Sequence, residues 1–216
     1  MKKETSVIVL GTAHRLREPG KGSPDGRLKE CVYSREIVSE VAAKLKSYGY
    51  RVVIDFEDLD LPKNMQTPNQ KLERSRELGM RVNIVNELCR QRGAKNVLYV
   101  SVHCNAAGSD GKWHDAKGWQ VNVSDKASNS SKTLANCLFD AASSHGLKMR
   151  KPTATQKYWP QSLYVLNYTQ CPAVLTENLF QDNKDDVDYL LSDLGRHQIA
   201  RLHVEGIINY INRANE

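Results

Sequence analysis

Short apolar segments alternate with amphipathic segments along this chain of 216 residues. The apolar segments have the length and the β-branched content of buried strands. We predict strands at residues 6–10, 51–54, 97–102, 118–123, 163–166 and 173–176. The amphipathic segments repeat apolar residues every three to four positions, which predicts helices. These helices cover residues 30–48, 69–92, 130–144 and 195–213.

Near-continuous apolar strands separated by helices are typical of a mostly parallel sheet with both faces covered. The chain contains no internal repeat, no low-complexity tract and no linker that would divide it. We therefore predict one α/β domain over residues 1–216, with a twisted central sheet and helices on both faces. In such sheets, ligands bind beyond the carboxyl ends of the strands.

Three side chains that can bind metal or transfer protons follow predicted strands. His14 lies shortly after the first strand, and His103 and Glu177 directly follow the strands at 97–102 and 173–176. Two histidines and a glutamate are one ligand set of catalytic zinc, which takes three protein ligands and keeps a fourth position open. Each residue alone could be structural, but together at the ligand-binding edge they predict a functional site.

The spacing leaves two candidates for the third ligand. A glutamate that binds the metal cannot also be the free base, so Glu177 as general acid/base requires another ligand. Glu30 is the best candidate, because the first helix begins there and its N-terminus returns to the same edge of the sheet. Glu36, further along that helix, is the alternative. Glu30 could also simply be an acidic residue that suits the helix dipole.

Other catalytic chemistries have weaker support. The chain has no HExxH, GxSxG or GxxxxGK[ST] motif. Cys104 adjoins His103, but neighbouring residues of a strand point to opposite faces, so we expect Cys104 to face the interior. The loop at residues 108–119 contains Trp113 and Trp119, which we expect to overhang the site and stack against substrate. We expect His114, in the same loop, to contact substrate rather than metal.

The charge balance does not by itself identify a partner. The net charge is +6, which would suit an anionic partner. However, the cations are scattered, and several occupy helix positions that we expect to face solvent, so we predict no nucleic-acid partner. These helix positions are Lys71, Arg74, Arg81 and Arg92.

The cysteine content and the hydropathy of the chain indicate the cellular compartment in which it is made. Five cysteines without a CxxC pair argue against a disulfide framework and favour a reducing environment. The apolar run at residues 7–10 is too short for the core of a signal peptide, and no segment reaches the ~18 apolar residues of a membrane span. We expect a chain made in the cytoplasm without a signal peptide and without stable membrane insertion.

The ordered motifs resemble a known family. His14, Glu30 after DGRLK, the SVHCNA segment and LTENLFQDN are similar to the zinc-dependent N-acetylmuramoyl-L-alanine amidases, in the type-3 amidase catalytic domain. The resemblance implies that His14, Glu30 and His103 bind Zn²⁺ and that Glu177 is the catalytic glutamate. It also implies that Asn105, in the S-[IV]-H-x-N-A element, lies near the site.

The late part of the motif shows both agreement and departure. Phe180 and Asn183 fit the E-x-x-F-x-x-N segment, but the glycine that usually precedes the phenylalanine is Leu179. The glycines that usually flank the first ligand are also missing, since the segment reads AHRLREPG. The PGKGSPDGRL and TENLFQDN segments are similar to a branch of the family found in Bacteroides-type bacteria and their prophages.

The resemblance implies hydrolysis of the amide between the lactyl group of N-acetylmuramic acid and L-alanine of the peptidoglycan stem peptide. The expected partner is peptidoglycan, the expected state is a monomer, and no separate wall-binding domain is expected. A phage-type lysis enzyme and a remodelling or recycling enzyme are both compatible with the sequence. Another zinc carboxypeptidase of wall peptides and an inactive wall-binding module are the alternative functions.

Overall fold

One mixed sheet runs through the part of the chain, residues 2–214, that the computed structural model describes. Its strands are β1 (Val7–Gly11), β2 (Arg51–Ile54), β3 (Val97–Asn105), β4 (Gln120–Ser124), β5 (Trp159–Gln161) and β6 (Ala173–Phe180). The α-helices are α1 (Glu30–Ser47), α2 (Gln70–Arg92), α3 (Asn129–Ser144), α4 (Tyr164–Tyr168), α5 (Lys184–Leu191) and α6 (Asp193–Arg213). Short 3₁₀ turns, Lys63–Met65 and Ala94–Asn96, precede α2 and β3.

The order of strands in the sheet is β2-β1-β3-β6-β4-β5. Neighbouring strands are parallel except for β4 and β6, which are antiparallel. The prediction of a single α/β domain with a mostly parallel sheet is therefore confirmed. The carboxyl ends of β1, β3 and β6 lie side by side at one edge.

Helices cover both faces of the sheet, so a central strand such as β1 needs apolar side chains on both of its faces. Ile8 and Leu10 pack into the core formed with α1, α3 and α6, whereas Val7 and Val9 pack on the opposite face with α2 and α4. All four side chains are buried. Because neither face of β1 contacts water, the strand is apolar throughout rather than alternating.

A glycine allows α3 and α6 to pack closely on one face of the sheet. A Cβ atom at Gly206 would lie 2.8 Å from the Cα atom of Leu138, which is closer than such atoms approach each other. The helices therefore pack backbone to backbone at this point, and a larger residue at position 206 would separate them.

The structure differs from the predicted elements at several places. Residues 163–166 were predicted as a strand, which is wrong: they enter the short helix α4. Short apolar runs do not distinguish a strand from a buried helical turn. The sequence patterns also missed α5 and β5, and Pro160 within β5 disfavours a strand assignment. Finally, β3 and β6 extend past their predicted ends to Asn105 and Phe180, so His103 and Glu177 lie within strands.

Among the helices described, none is both long and apolar enough to cross a membrane.

Candidate active site

His14 lies in a turn that begins where β1 ends. Its backbone has φ 46°, in the left-handed region that residues other than glycine seldom adopt. The guanidinium group of Arg35 in α1 donates hydrogen bonds to the carbonyl oxygens of Ala13 (2.9 Å) and His14 (3.1 Å). The Ala13 N–H donates to Ser34 Oγ at 2.9 Å. These contacts hold the strained turn against α1.

Glu30 is the first residue of α1 and lies at the same edge of the sheet. Its backbone N–H donates to the carbonyl of Lys21 at 3.1 Å, which joins the preceding loop to the helix. Its side chain is almost fully buried, with 1% exposure. One carboxylate oxygen lies 3.3 Å from His14 Nε2, and the other lies 3.0 Å from His103 Nδ1. Glu30 therefore bridges the two histidines.

His14, Glu30 and His103 form a compact group of potential metal ligands. One ligand atom from each of the three residues can be chosen so that all lie within 4.8 Å of one another. The two imidazole rings are edge to face, with centroids 5.0 Å apart and an interplanar angle of 88°. Glu36, the alternative third ligand, instead forms an exposed ion pair with Arg196 of α6. The geometry favours Glu30.

Opposing charges set the protonation of this group. Burial alone would lower the pKa of His14, but the charge of Glu30 and hydrogen bonds to Glu18 and Glu30 raise it to about 9. Burial lowers the pKa of His103, although its hydrogen bond to Glu30 opposes the shift. Burial of Glu30 is outweighed by the charge of His14 and the hydrogen bond from His103, which hold its pKa well below the usual range. Loss of one proton from His14 would produce two neutral imidazoles beside a carboxylate.

Two polar groups to which the sequence analysis assigned no role contact the histidines. Glu18 Oε2 lies 3.1 Å from His14 Nδ1, on the ring nitrogen that does not face Glu30. Ser101 Oγ lies 3.1 Å from His103 Nε2. Ser101 could have been found from the period of two along β3, whereas Glu18 lies in an irregular loop with no such signal.

Glu177 lies beside His103 on the neighbouring strand. The two residues are register partners in the parallel pair of β3 and β6, so their side chains project from the same face of the sheet. The Glu177 Oε2 atom is buried and has no hydrogen-bond partner within residues 2–214. Burial, and secondarily the negative charge of Glu30, raise the pKa of Glu177 to about 8. Glu177 is therefore a carboxyl group with a free oxygen that can exchange a proton near neutral pH.

His14, Glu30, His103 and Glu177 line a cavity of about 290 Å³. Asn105 also lines it, and its carbonyl oxygen accepts a hydrogen bond from the Gln181 N–H at 2.8 Å. The lining also includes a largely apolar group, Leu163, Tyr164, Val165 and Leu175. Tyr164 has 43% exposure and is the aromatic side chain that lines the cavity.

The expectation that Trp119 stacks against substrate is wrong. Its side chain has 0% exposure, and its Nε1 donates to Asn178 Oδ1 at 2.7 Å. The Asn178 amide in turn donates to the carbonyl of His103 at 2.9 Å. Trp119 therefore supports the strand that carries His103 from inside the protein. Trp113 is 38% exposed on its loop, but it does not line the cavity.

The remaining motif residues have structural contacts. Cys104 faces the core, as predicted, and burial raises the pKa of its thiol well above the ordinary value, which disfavours a thiolate nucleophile. Phe180 is buried. Asn183 caps α5 by accepting the Asp186 N–H at 3.0 Å, and its amide donates to the carbonyl of His114 at 2.9 Å.

A buried ion network lies next to the cavity. Arg81 was predicted to face solvent, which is wrong: it is 2% exposed and forms ion pairs with Asp55 (2.8 Å) and Glu77 (2.9 Å). Arg15, directly after His14, pairs with Glu73 (2.7 Å) and Glu77 (2.9 Å). Because its charges are paired, the network anchors the residue after His14 to α2 without an isolated buried charge.

The fold and this site define an α/β protein with a candidate metal-dependent hydrolase centre at the carboxyl edge of its sheet. Residues 8–209 match the family model described as N-acetylmuramoyl-L-alanine amidase. The chain belongs to this family, as the motifs predicted.

Comparisons with individual proteins agree with this assignment. The chain is 28% identical over 199 residues to an endolysin of Bacillus phage SPP1, in a match covering 90% of this chain and 65% of the endolysin. The chain thus spans less than two-thirds of the length of that relative.

Two solved structures have the same fold. The CwlD amidase from Clostridioides difficile, in complex with the GerS lipoprotein, has a TM-score of 0.78 at 22% identity and covers 96% of this chain and 99% of its own. The amidase Ami1 from Mycobacterium smegmatis has a TM-score of 0.78 at 19% identity, with coverage of 99% and 100%. At these identities the likeness establishes the fold.

Proposed function

We propose that this chain hydrolyses the amide bond between the lactyl group of N-acetylmuramic acid and L-alanine of the peptidoglycan stem peptide. The observation that carries the proposal is the convergence of His14, Glu30 and His103 beside Glu177, in a chain of the amidase family. His14, Glu30, His103 and Glu177 all line one cavity of about 290 Å³, so a substrate amide that enters it can approach all four.

The residues present fit a zinc ion. His14, Glu30 and His103 supply two imidazoles and one carboxylate, a donor set that zinc uses at catalytic sites. Glu177 lies beside this set, and its buried Oε2 atom has no hydrogen-bond partner in residues 2–214. A general base needs such a free carboxylate oxygen to accept a proton. A zinc ion held there would act as a Lewis acid toward the amide carbonyl and lower the pKa of water.

Glu177 supplies the proton transfers in this proposal. Its carboxylate accepts a proton from the attacking water while the water oxygen bonds to the amide carbon. The same proton then passes to the alanine nitrogen as the carbon–nitrogen bond breaks, so one water is consumed and one carboxylate and one amine are released. Because the pKa of Glu177 is raised toward neutral pH, its carboxyl group can both accept the proton from water and donate it to the alanine nitrogen.

The biological setting that we propose is degradation of the cell wall, with the described domain acting as a monomer on peptidoglycan and not on nucleic acid. The similarity to a phage endolysin supports a lysis enzyme that is made in the cytoplasm and reaches the wall during phage-type lysis. That a single sheet carries the site in residues 2–214 supports one catalytic domain in this proposal.

The test uses the purified full chain, intact muropeptides and a chelator with zinc add-back. We expect release of the intact stem peptide with a free L-alanine amino terminus, loss of activity with chelator and recovery with about one zinc per chain. Release of single amino acids would indicate a carboxypeptidase instead. Absence of any cleavage by the zinc-loaded chain would contradict the proposed activity.

A further inference from the structure

Three cations line the cavity of the candidate site, and they differ in how their charges are compensated. Arg81 is buried and paired with Asp55 and Glu77. Arg74 is more exposed and lies 3.9 Å from Glu18. Lys21, in contrast, forms no side-chain hydrogen bond or ion pair with any residue of the range 2–214, although it is half-buried. Lys21 is thus the cation of this cavity whose charge has no partner in residues 2–214.

The backbone around Lys21 is fixed on both sides. Its carbonyl accepts the Glu30 N–H at 3.1 Å, and the carbonyl of Gly20 accepts Gln181 Nε2 at 3.2 Å. Gly22 is bridged to Lys29, and a Cβ atom at Gly22 would lie 2.5 Å from the carbonyl oxygen of Leu28. The Lys21 Cα atom is therefore held between α1 and the end of β6, and its side chain enters the cavity from a rigid base.

The charges around Lys21 leave it without an internal counter-ion. Glu30 is bonded to both histidines, and Glu18 is bonded to His14. The positive charge of Lys21 lowers the pKa values of Glu18 and Glu177, but neither carboxylate forms a hydrogen bond or an ion pair with Lys21 in residues 2–214. A half-buried ammonium group gains most from an anion that enters the same cavity.

We propose that Lys21 binds a carboxylate on the peptide side of the bond that is cleaved, and so selects stem peptides with free rather than amidated carboxyl groups. This inference rests on the proposed amidase function. Leu163, Tyr164 and Val165 line the same cavity without a cationic group, so Lys21 offers a substrate carboxylate the charge that these side chains lack. The ligand class is a peptide carboxylate, from the second or the third residue of the stem.

The experiment compares matched muropeptides in a steady-state assay of the zinc-loaded chain. One substrate has free carboxylates at stem residues two and three, two have a primary amide at one of these positions, and one is amidated at both. We expect Lys21→Met to lower kcat/KM on the free-acid substrate about tenfold, mainly through KM, and to leave the doubly amidated substrate unchanged. Lys21→Arg should keep most of the preference. The singly amidated substrates identify which carboxylate is bound.

Lys29→Met is the matched control, because Lys29 is an exposed lysine of the same loop that does not line the cavity. It should change none of the four substrates. An equal loss on free-acid and amidated substrates would overturn the inference, since Lys21 would then act on the reaction centre or on folding. No loss with Lys21→Met would overturn it as well. If the wild-type chain cleaves none of the four substrates, it is the proposed amidase function itself that fails.

Discussion

His103 of β3 and Glu177 of β6 are register partners in adjacent parallel strands. The register shifts immediately afterwards: Asn105 pairs with Phe180, so β6 has one more residue than β3 over this interval. Leu179, with φ 65°, lies within the bulged segment of β6. The β-bulge thus begins directly after the site. A potential metal ligand and a potential general base are in this way fixed on one face of the sheet, just before the strands deviate.

Replacing Glu177 with glutamine should separate metal binding from catalysis. Glu177→Gln removes the group that exchanges the proton but leaves His14, Glu30 and His103 in place. We expect kcat on muropeptides to fall about 10²- to 10⁴-fold. Zinc content by elemental analysis and the melting temperature should remain close to those of the wild type. Retention of full activity would show that Glu177 is not the general base.

The two candidate third ligands give opposite expectations. Glu30 bridges both histidines from a buried position, whereas Glu36 is exposed and paired with Arg196. Glu30→Gln should weaken zinc binding more than about 100-fold, because loss of a direct ligand exceeds the 10–100-fold loss typical of supporting groups. Equilibrium dialysis against a zinc buffer measures this directly.

Glu36→Gln is the matched control for Glu30→Gln. It removes an exposed ion pair worth at most about 1 kcal/mol and should leave zinc affinity unchanged. The reverse pattern, with zinc lost in Glu36→Gln and retained in Glu30→Gln, would refute the ligand set proposed here.

The elements around the site were predictable because their signals are local. Apolar runs of strand length marked β1 and β3, and the rule that ligands bind at carboxyl ends brought His14 and His103 together. Cys104 was correctly placed in the core from the period of two along a strand.

The surroundings of the site were not predictable, because they depend on contacts between distant segments. Trp119 lies in a polar, glycine-containing loop sequence, but the loop folds inward onto Asn178, 59 residues later. Arg81 lies on the buried face of α2, four residues before Val85, where Asp55, 26 residues earlier in the chain, pairs with it. Leu179 has a positive φ, which favours glycine, and its burial in the core offsets the backbone strain.

Glu18 should support metal binding without being a ligand. Its carboxylate holds the ring nitrogen of His14 that faces away from Glu30, and such a contact orients a ligating histidine and raises its basicity. We expect Glu18→Gln to weaken zinc binding about 10- to 100-fold while the fold is retained. Competition with a chromophoric chelator measures the affinity.

Glu57→Gln provides the control for Glu18→Gln, because Glu57 is exposed and does not line the cavity. It should bind zinc as the wild type does. If Glu18→Gln binds zinc with unchanged affinity, the contact with His14 serves only the structure of the loop.

His203 is a buried neutral histidine on α6, away from the candidate ligands. Its Nδ1 donates to the carbonyl of Ile199 at 2.7 Å, and its Nε2 accepts from the hydroxyl of Thr176 at 2.9 Å. Burial lowers the pKa of His203 to about 4. With Nδ1 as the donor, the neutral ring has Nε2 free to accept from Thr176, and burial disfavours the charged form.

This histidine should make the protein less stable in mild acid. Above about pH 6.5 His203 is neutral in both the folded and unfolded states and has no effect on the pH dependence. As the pH falls from about 6.5 to about 4, the unfolded state binds a proton that the folded state excludes, which costs up to about 3 kcal/mol. His203→Leu lacks this proton site, so its free energy of unfolding should fall less steeply over the same range. Urea unfolding of both proteins between pH 4 and 7 measures the difference, and parallel pH profiles would show that His203 is not buried in its neutral form.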